Sequence, residues 1–202
     1  VKVDFDAQYA GFNGEGYFFG AGLDEIVKKV LKLKNGGSVL DLGVGDGRNV
    51  LFLAEAGFRV TGVDISSEAL KLFTKKIPTK LIDNVTLIKS DITKFDFREH
   101  YDIIISAVTL NFLDRGSISS LINKIKEHTK PGGINILTVY TINNPVKEKF
   151  NYLFKKGELL TFYDKSWVVI EHKEEYKTGK EKHGAGQEHY HYTTELMIKK
   201  KI

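Results

Sequence analysis

Beyond residue 38 the chain alternates short apolar runs with stretches in which apolar side chains recur every three or four positions. Residues 39–42, 59–63, 85–89, 101–106 and 134–140 carry the runs, and 49–56, 67–76 and 117–128 carry the helical spacing. A strand buried on both faces needs continuous apolar residues, whereas a surface helix needs only one apolar stripe. The alternation therefore predicts a parallel sheet with helices on both faces, an α/β doubly wound architecture. Local signals agree with it. Val50, Leu53 and Ala54 share one helical face, and Gly57 stands where a helix-ending glycine belongs. Ser66 is placed to cap the next helix, whose Ala69, Leu70 and Phe73 form its inner stripe.

Both flanks depart from this rhythm. Residues 145–154 and 157–163 read as short helical pieces, and 167–176 and 189–198 as paired strands joined by a charged, glycine-containing loop at 178–187. An antiparallel hairpin closing the parallel sheet follows. Before the first strand, Leu23, Ile26, Val27, Val30 and Leu31 recur at helical spacing and predict a packing helix. Residues 12–19, aromatic and glycine-rich, read as a mobile flap.

The densest chemistry lies at the end of the first strand, where Val39 to Asn49 read Val-Leu-Asp-Leu-Gly-Val-Gly-Asp-Gly-Arg-Asn. Glycines at 43, 45 and 47 let the backbone turn sharply and approach a nucleotide-like ligand without Cβ atoms intervening. A second acid, Asp64, closes the next strand about 20 residues on, where a ribose diol needs an acceptor. Asp91 with Ile92 follows the third strand, a carboxylate for an adenine amine beside an apolar face for the ring. Asp41, Asp64, Asp91 and Ser106 all fall at the carboxyl ends of strands, where open α/β sheets bind ligands.

Spacing and charge select among nucleosides. A dinucleotide fingerprint wants Gly-x-Gly-x-x-Gly, but here the third glycine comes one residue early and Arg48 follows it. No Gly-Lys-Ser/Thr follows, which removes a triphosphate loop. Asp41 repels a polyphosphate and attracts a cationic ligand. S-adenosylmethionine (SAM), with a sulfonium, an ammonium and no phosphate, suits that acid better than NAD does. The plain alternatives are structural: a strand-to-helix turn with Asp41 as a cap, and Asp91 as a turn cap.

Composition narrows the picture. With 202 residues, 42% apolar and 28% charged, the chain is sized for one domain, 1–202. It divides into an N-terminal flap and helix (1–36), a cofactor-binding core (37–140) and C-terminal helices with a hairpin (141–202). No run approaches the about 18 apolar residues of a membrane span, and no secretory signal pattern opens the chain, so the cytoplasm is the expected compartment. Cysteine is absent, which removes disulfides and thiolate chemistry. The net charge is +4, but of 30 basic residues only Arg48, Arg59, Arg98 and Arg115 are arginine. Nucleic-acid readers concentrate arginine, so a small-molecule partner is expected, with neither nucleic acid nor membrane.

The glycine turn with Asp64 and Asp91, Tyr101-Asp102-Ile103-Ile104-Ile105-Ser106, and Lys130-Pro131-Gly132-Gly133 together resemble the class I SAM-dependent methyltransferases along essentially the whole chain. Leu40-Asp41-Leu42-Gly43 with Gly47-Arg48-Asn49, the run Ser106 to Leu113, Tyr17-Phe18-Phe19-Gly20 and Lys156-Gly157-Glu158-Leu159 are similar to the tellurite-resistance (TehB-like) branch. The resemblance implies a Rossmann-like, mostly parallel seven-stranded sheet whose last strand runs antiparallel beside the sixth. It further implies that Gly43, Gly45 and Gly47 line the methionine side of SAM, and Asp41, Arg48 and Asn49 are expected among the cofactor-binding residues. Asp64 then binds the ribose, Asp91 and Ile92 the adenine, Ala107 lies beneath the methionine portion, and Ile65 is expected as a further cofactor-binding residue. Departures stand beside these matches. Thr141 and His189-Tyr190-His191 occupy places where the branch often has an acid and a basic residue beside a histidine, and Val44 replaces a cysteine, a change expected to have no consequence.

Methyl transfer needs alignment more than a protein nucleophile. A base matters only for acceptors that hold a proton near neutral pH. His189 and His191, on one strand face by the two-residue period, are the candidate catalytic pair, and no metal site is expected. Ala107-Val108-Thr109-Leu110 stands where nucleic-acid amino methyltransferases place a polar-Pro-Pro-aromatic motif, which favours a small soft acceptor: a thiol, selenium or tellurium species. Two other readings remain open, a non-catalytic SAM-binding regulator and an NAD-dependent oxidoreductase.

Overall fold

The computed structural model describes residues 3–18, 25–178 and 189–202. Helices α1 (Phe5–Ala10) and α2 (Glu25–Lys28) precede β1 (Ser38–Leu42), α3 (Val50–Glu55), β2 (Arg59–Asp64), α4 (Ser67–Lys76) and β3 (Val85–Lys89). Then follow β4 (Tyr101–Ala107), α5 (Arg115–Glu127), β5 (Thr129–Tyr140), β6 (Trp167–Lys177) and β7 (Tyr192–Lys200). The seven strands are ordered β3-β2-β1-β4-β5-β7-β6. The expected α/β class holds, with one refinement. β7 lies between β5 and β6 and runs antiparallel to both, so the hairpin enters the sheet with its second strand inward.

The described residues group into two compact units, one of residues 3–95 with His189, the other of 96–178 and 190–202. In the first, β1 and β3 flank β2 in parallel register, Asp41 facing Gly62 and Asp64 facing Lys89. All five β1 residues are buried, as a central strand covered on both faces requires. In the second, β4 pairs with β5 in parallel. β5 runs from Thr129 rather than residue 134: Lys130-Pro131-Gly132-Gly133 continues the strand and forms the irregularity between the Tyr101 and Ile103 pairings.

Other expectations shift at the edges. The helix before β1 is one α turn followed by a 3-10 turn at Lys29–Lys32, and Leu23 lies outside the described residues. Residues 145–154 form turns rather than a helix, and Leu159–Phe162 is a 3-10 turn. Within 12–19, the described Phe12 and Phe18 do not project as a flap. They pack with Tyr9, Ala69 and Leu72, with Phe18 4.7 Å from the Tyr9 ring. Phe19, Gly20 and most of the 178–187 loop lie outside the described residues.

Candidate functional site

The glycine turn is fastened to the neighbouring strand before any ligand is considered. The Gly43 and Val44 amides both donate to the Val63 carbonyl, at 2.8 and 3.0 Å. Gly43, Gly45 and Gly47 adopt φ of 83°, 55° and 86°, a region that L side chains avoid. Two of them are also places of close approach. A Cβ on Gly47 would lie 2.2 Å from the Phe73 ring of α4, and one on Gly45 would lie 2.8 Å from the Tyr9 hydroxyl. Val44 packs closely against Gly62 of the neighbouring strand. Its methyls stand 2.9 and 3.0 Å from where a Cβ on Gly62 would be, so a larger residue at 62 would displace the valine.

Asp41 and Asp64 are both buried near this turn in sequence, in β1 and at the end of β2. Asp64 Oδ2 accepts the Gly45 amide and Oδ1 the Ser66 amide, each at 2.8 Å. A carboxylate offers about four lone-pair sites, so two backbone donors orient the group and leave acceptor capacity for a diol. Burial pushes the Asp64 carboxyl up, the Ser66, Gly45 and Ile65 amides oppose it, and the net result is a raised value. Ile65 is exposed, Ile92 and Asn49 are buried, and Arg48 is half-buried. Asn49 occupies the N-cap position of α3 without a side-chain cap bond.

Asp91 Oδ1 accepts both the Thr93 amide at 2.9 Å and the Thr93 hydroxyl at 2.7 Å. The turn-cap alternative is thus realised here. Burial raises its carboxyl, but the two Thr93 bonds and nearby Lys94 outweigh that and hold it below its ordinary range. The charge of these groups fits SAM: two buried carboxylates, acceptors only, beside a turn whose φ values exclude most side chains suit a cation and a diol better than a phosphate.

Sequence reasoning missed the groups that brace this turn. Asp46, between the last two glycines, is buried, accepts the Phe18 amide at 2.8 Å and pairs with Lys76 of α4 at 2.6 Å. Lys76 also lies 4.3 Å from the Tyr17 ring centroid. Asp6 of α1 reaches α4, accepting the Ser66 hydroxyl at 2.7 Å and the Glu68 amide at 3.1 Å. The only signal for these was Asp46 itself, an acid inside a glycine turn. Asp6 carries none, because its partners lie some 60 residues away.

In the second unit, Ala107 ends β4 and Val108 follows at φ 63°, an uncommon conformation for a β-branched residue. Its amide bonds to the Thr138 carbonyl at 2.7 Å and the chain turns into the 3-10 segment Thr109–Phe112. The Ser106 and Thr141 hydroxyls are buried and have no hydrogen-bond partner among the described residues. Asn111 is fully buried. Its Nδ2 donates to the Tyr140 and Tyr152 carbonyls, and its Oδ1 accepts the Tyr140 amide.

The histidine pair is not on a shared strand face. β7 begins at Tyr192, so both His189 and His191 precede it, and two-residue alternation does not govern them. His189 is half-buried. His191 is buried, stacks on Tyr140 with centroids 4.2 Å apart, and bonds through Nδ1 to the Asn144 side chain. No group of three or more metal-ligating His, Asp or Glu residues occurs among the described residues. No helix there is long and apolar enough to cross a membrane.

Comparison with known proteins adds an independent line. The family model described as tellurite resistance protein TehB matches residues 10–188. A probable S-adenosyl-L-methionine-dependent methyltransferase TehB of Haemophilus influenzae is 36% identical over 138 residues, which cover 67% of this chain and 48% of that protein. A cypemycin N-terminal methyltransferase of a Streptomyces species is 35% identical over 120 residues, 58% of this chain and 47% of that protein. The chain thus spans about half the length of these relatives. The crystal structure of TehB from H. influenzae superposes with a TM-score of 0.77 at 29% identity, over 89% of this chain and 63% of that one. Magnesium protoporphyrin IX methyltransferase from Synechocystis, solved with bound SAM, shares the fold at a TM-score of 0.66 and 20% identity, over 88% and 77% of the two chains. With the glycine turn, the strand-end acids and the strand order, these matches establish that the chain belongs to the TehB family and has the class I methyltransferase fold.

Proposed function

We propose that this chain, acting as a single methyltransferase domain, binds SAM and transfers its methyl group to a small-molecule acceptor with a soft nucleophilic atom: a thiol, selenium or tellurium species. The observation that supports the reading is the Gly45 amide bonded to Asp64, which fastens a buried carboxylate to the glycine turn. Membership of a family whose H. influenzae member is described as a probable SAM-dependent methyltransferase supports it.

In this reading Asp41 meets the cationic methionine portion, along with Gly43, Gly45, Gly47, Arg48, Asn49 and Ala107. Asp64 and Ile65 hold the ribose, and Asp91 and Ile92 the adenine, Asp91 through the oxygen not bonded to Thr93. Bound SAM supplies an electrophilic methyl on a sulfonium. The acceptor lone pair forms the new bond to that carbon as the carbon–sulfur bond breaks, its electrons neutralising the sulfonium. The protein's share is alignment and exclusion of water, which well-oriented systems show to be worth about 7–11 kcal/mol. His191 is the acceptor-side side chain, favoured over His189 because it is buried and fixed by Asn144.

Calorimetric titration with SAM, S-adenosylhomocysteine and NAD tests the reading, followed by turnover with tellurite and a simple alkyl thiol. Asp64→Ala is expected to lose SAM binding. Gly45→Val is a poorer probe, since a β-branched side chain there meets Tyr9. Tight SAM binding without turnover of any acceptor class supports the regulator reading instead. Binding of NAD in preference to SAM overturns both.

A further inference from the structure

Asn144 is fully buried, and its amide has one orientation that suits its neighbours. Oδ1 accepts the Val146 amide at 3.0 Å. Turned over, the amide would set the donors of Nδ2 against that N–H. Nδ2 therefore faces His191, 3.0 Å from Nδ1, while Oδ1 stands farther from the same nitrogen at 3.3 Å. A nitrogen that receives an N–H must offer a lone pair. Nδ1 is thus unprotonated, and the proton of the neutral ring resides on Nε2.

The ring is held in this pose from several sides. Tyr140 stacks on it with an interplanar angle of 15°. The His191 amide donates to the Thr178 hydroxyl at 2.9 Å. The turn that carries Asn144 is tied down by the Thr141 amide on the Tyr192 carbonyl and the Asn144 amide on the Thr141 carbonyl, both at 2.9 Å.

We propose that Asn144 is a positioning residue that keeps the His191 proton on Nε2, so that in methyl transfer His191 donates a hydrogen bond to the acceptor and does not remove its proton. The proposal rests on the reading above that His191 meets the acceptor. The acceptor then arrives with its nucleophilic lone pair already free, its atom bonds to the methyl carbon as the carbon–sulfur bond breaks, and no proton passes to the ring. Soft anions such as tellurite meet that requirement near neutral pH, a thiol meets it through its thiolate fraction, and alcohols do not.

Long-range nitrogen–proton correlation spectra of the whole protein, with His191 assigned by its loss in His191→Gln, read the tautomer directly. The expected pattern has Nδ1 unprotonated and Nε2 protonated. It should convert to a protonated Nδ1 in Asn144→Asp, which keeps the acceptor for Val146 but turns a carboxylate oxygen toward the ring. A wild-type ring protonated on Nδ1 alone, or an Asn144→Asp ring unchanged from wild type, overturns the proposal whatever the enzyme acts on. Turnover of tellurite or a simple alkyl thiol, with melting curves as the control for folding, reads the role. His191→Leu should lose about 10²-fold or more, as loss of a single site donor does, and His191→Gln, which retains an N–H donor, should recover at least about a tenth of the wild-type rate. Equal losses in the two variants would assign a base. Full activity in His191→Leu would remove His191 from the acceptor side, and with it the reading on which the proposal rests, while the spectra still decide the tautomer.

Discussion

The Tyr9 hydroxyl stands 2.8 Å from the point that a Cβ on Gly45 would occupy. The contact joins a helix near the start of the chain to the middle of the glycine turn. Desolvation, and then the charges of Asp64 and Asp46, hold the Tyr9 phenol well above its ordinary range, so it sits there neutral. Gly45→Ala is therefore expected to displace α1. The next ring atom, Cζ, is 3.9 Å away and in ordinary contact, so Tyr9→Phe in the same chain should relieve the clash. The residual cost of the double variant should be the left-handed backbone alone, about 1–2 kcal/mol. Chemical denaturation of the two single variants and the double variant measures this. Additive losses would show that the hydroxyl is not the obstacle.

Gly47 faces a harder obstacle, because a Cβ there would lie 2.2 Å from the fully buried Phe73 ring. Gly47→Ala should cost about 2–5 kcal/mol, the sum of left-handed strain and overpacking. Phe73→Leu in the same chain should recover part of that loss. Thermal melts of the three variants test the coupling.

Asp6 predicts an acid-sensitive attachment of α1 to α4. The Ser66 hydroxyl first, and the Glu68 amide second, hold its carboxyl below the ordinary range. A folded value below the unfolded one means that its stabilisation is present above about pH 3.9 and is lost as the pH falls through the folded value. Asp64 runs the other way: its raised value favours the folded state below the unfolded value, and that contribution is lost as the pH rises through the folded one. Hydrogen-exchange protection of the Glu68 amide should accordingly decline on acidification in the wild type. In Asp6→Ala it should be low at every pH.

Asn111 should be among the most sensitive positions in the second unit. Its side chain satisfies two carbonyls and one amide of the buried backbone. Asn111→Leu removes a donor from the Tyr152 carbonyl, an acceptor from the Tyr140 amide, and one of the donors to the Tyr140 carbonyl, which keeps the Phe154 amide. Each buried group left unpaired costs about 1–3 kcal/mol before relaxation. Loss of soluble expression or a Tm drop well beyond that of Asn151→Leu, whose side chain donates to the Phe112 carbonyl in an exposed setting, is the expected result.

The alternating runs, the glycines and the caps are local properties, which is why β1 to β5 and α3 to α5 could be placed from the chain alone. Ser66 does cap α4 through the Ala69 amide, and Gly57 follows α3 with φ 91°. The insertion of β7 between β5 and β6 was not legible, because a hairpin pattern is the same whichever of its strands turns inward. The histidine pair was misplaced for a related reason: period-two reasoning holds only inside a strand, and β7 starts one residue after His191.

Asp41, the glycine turn and Asp64 were determined by the sequence, because a short strand, a turn and a second strand bring them together within one βαβ unit. Tertiary structure alone decided the rest: Asp6 on Ser66, Tyr9 on Gly45, Asp46 with Lys76, Asn144 on His191. Those contacts join residues 30 to 60 positions apart. They arise where the packing brings groups distant in the chain against one another, and no local periodicity encodes that.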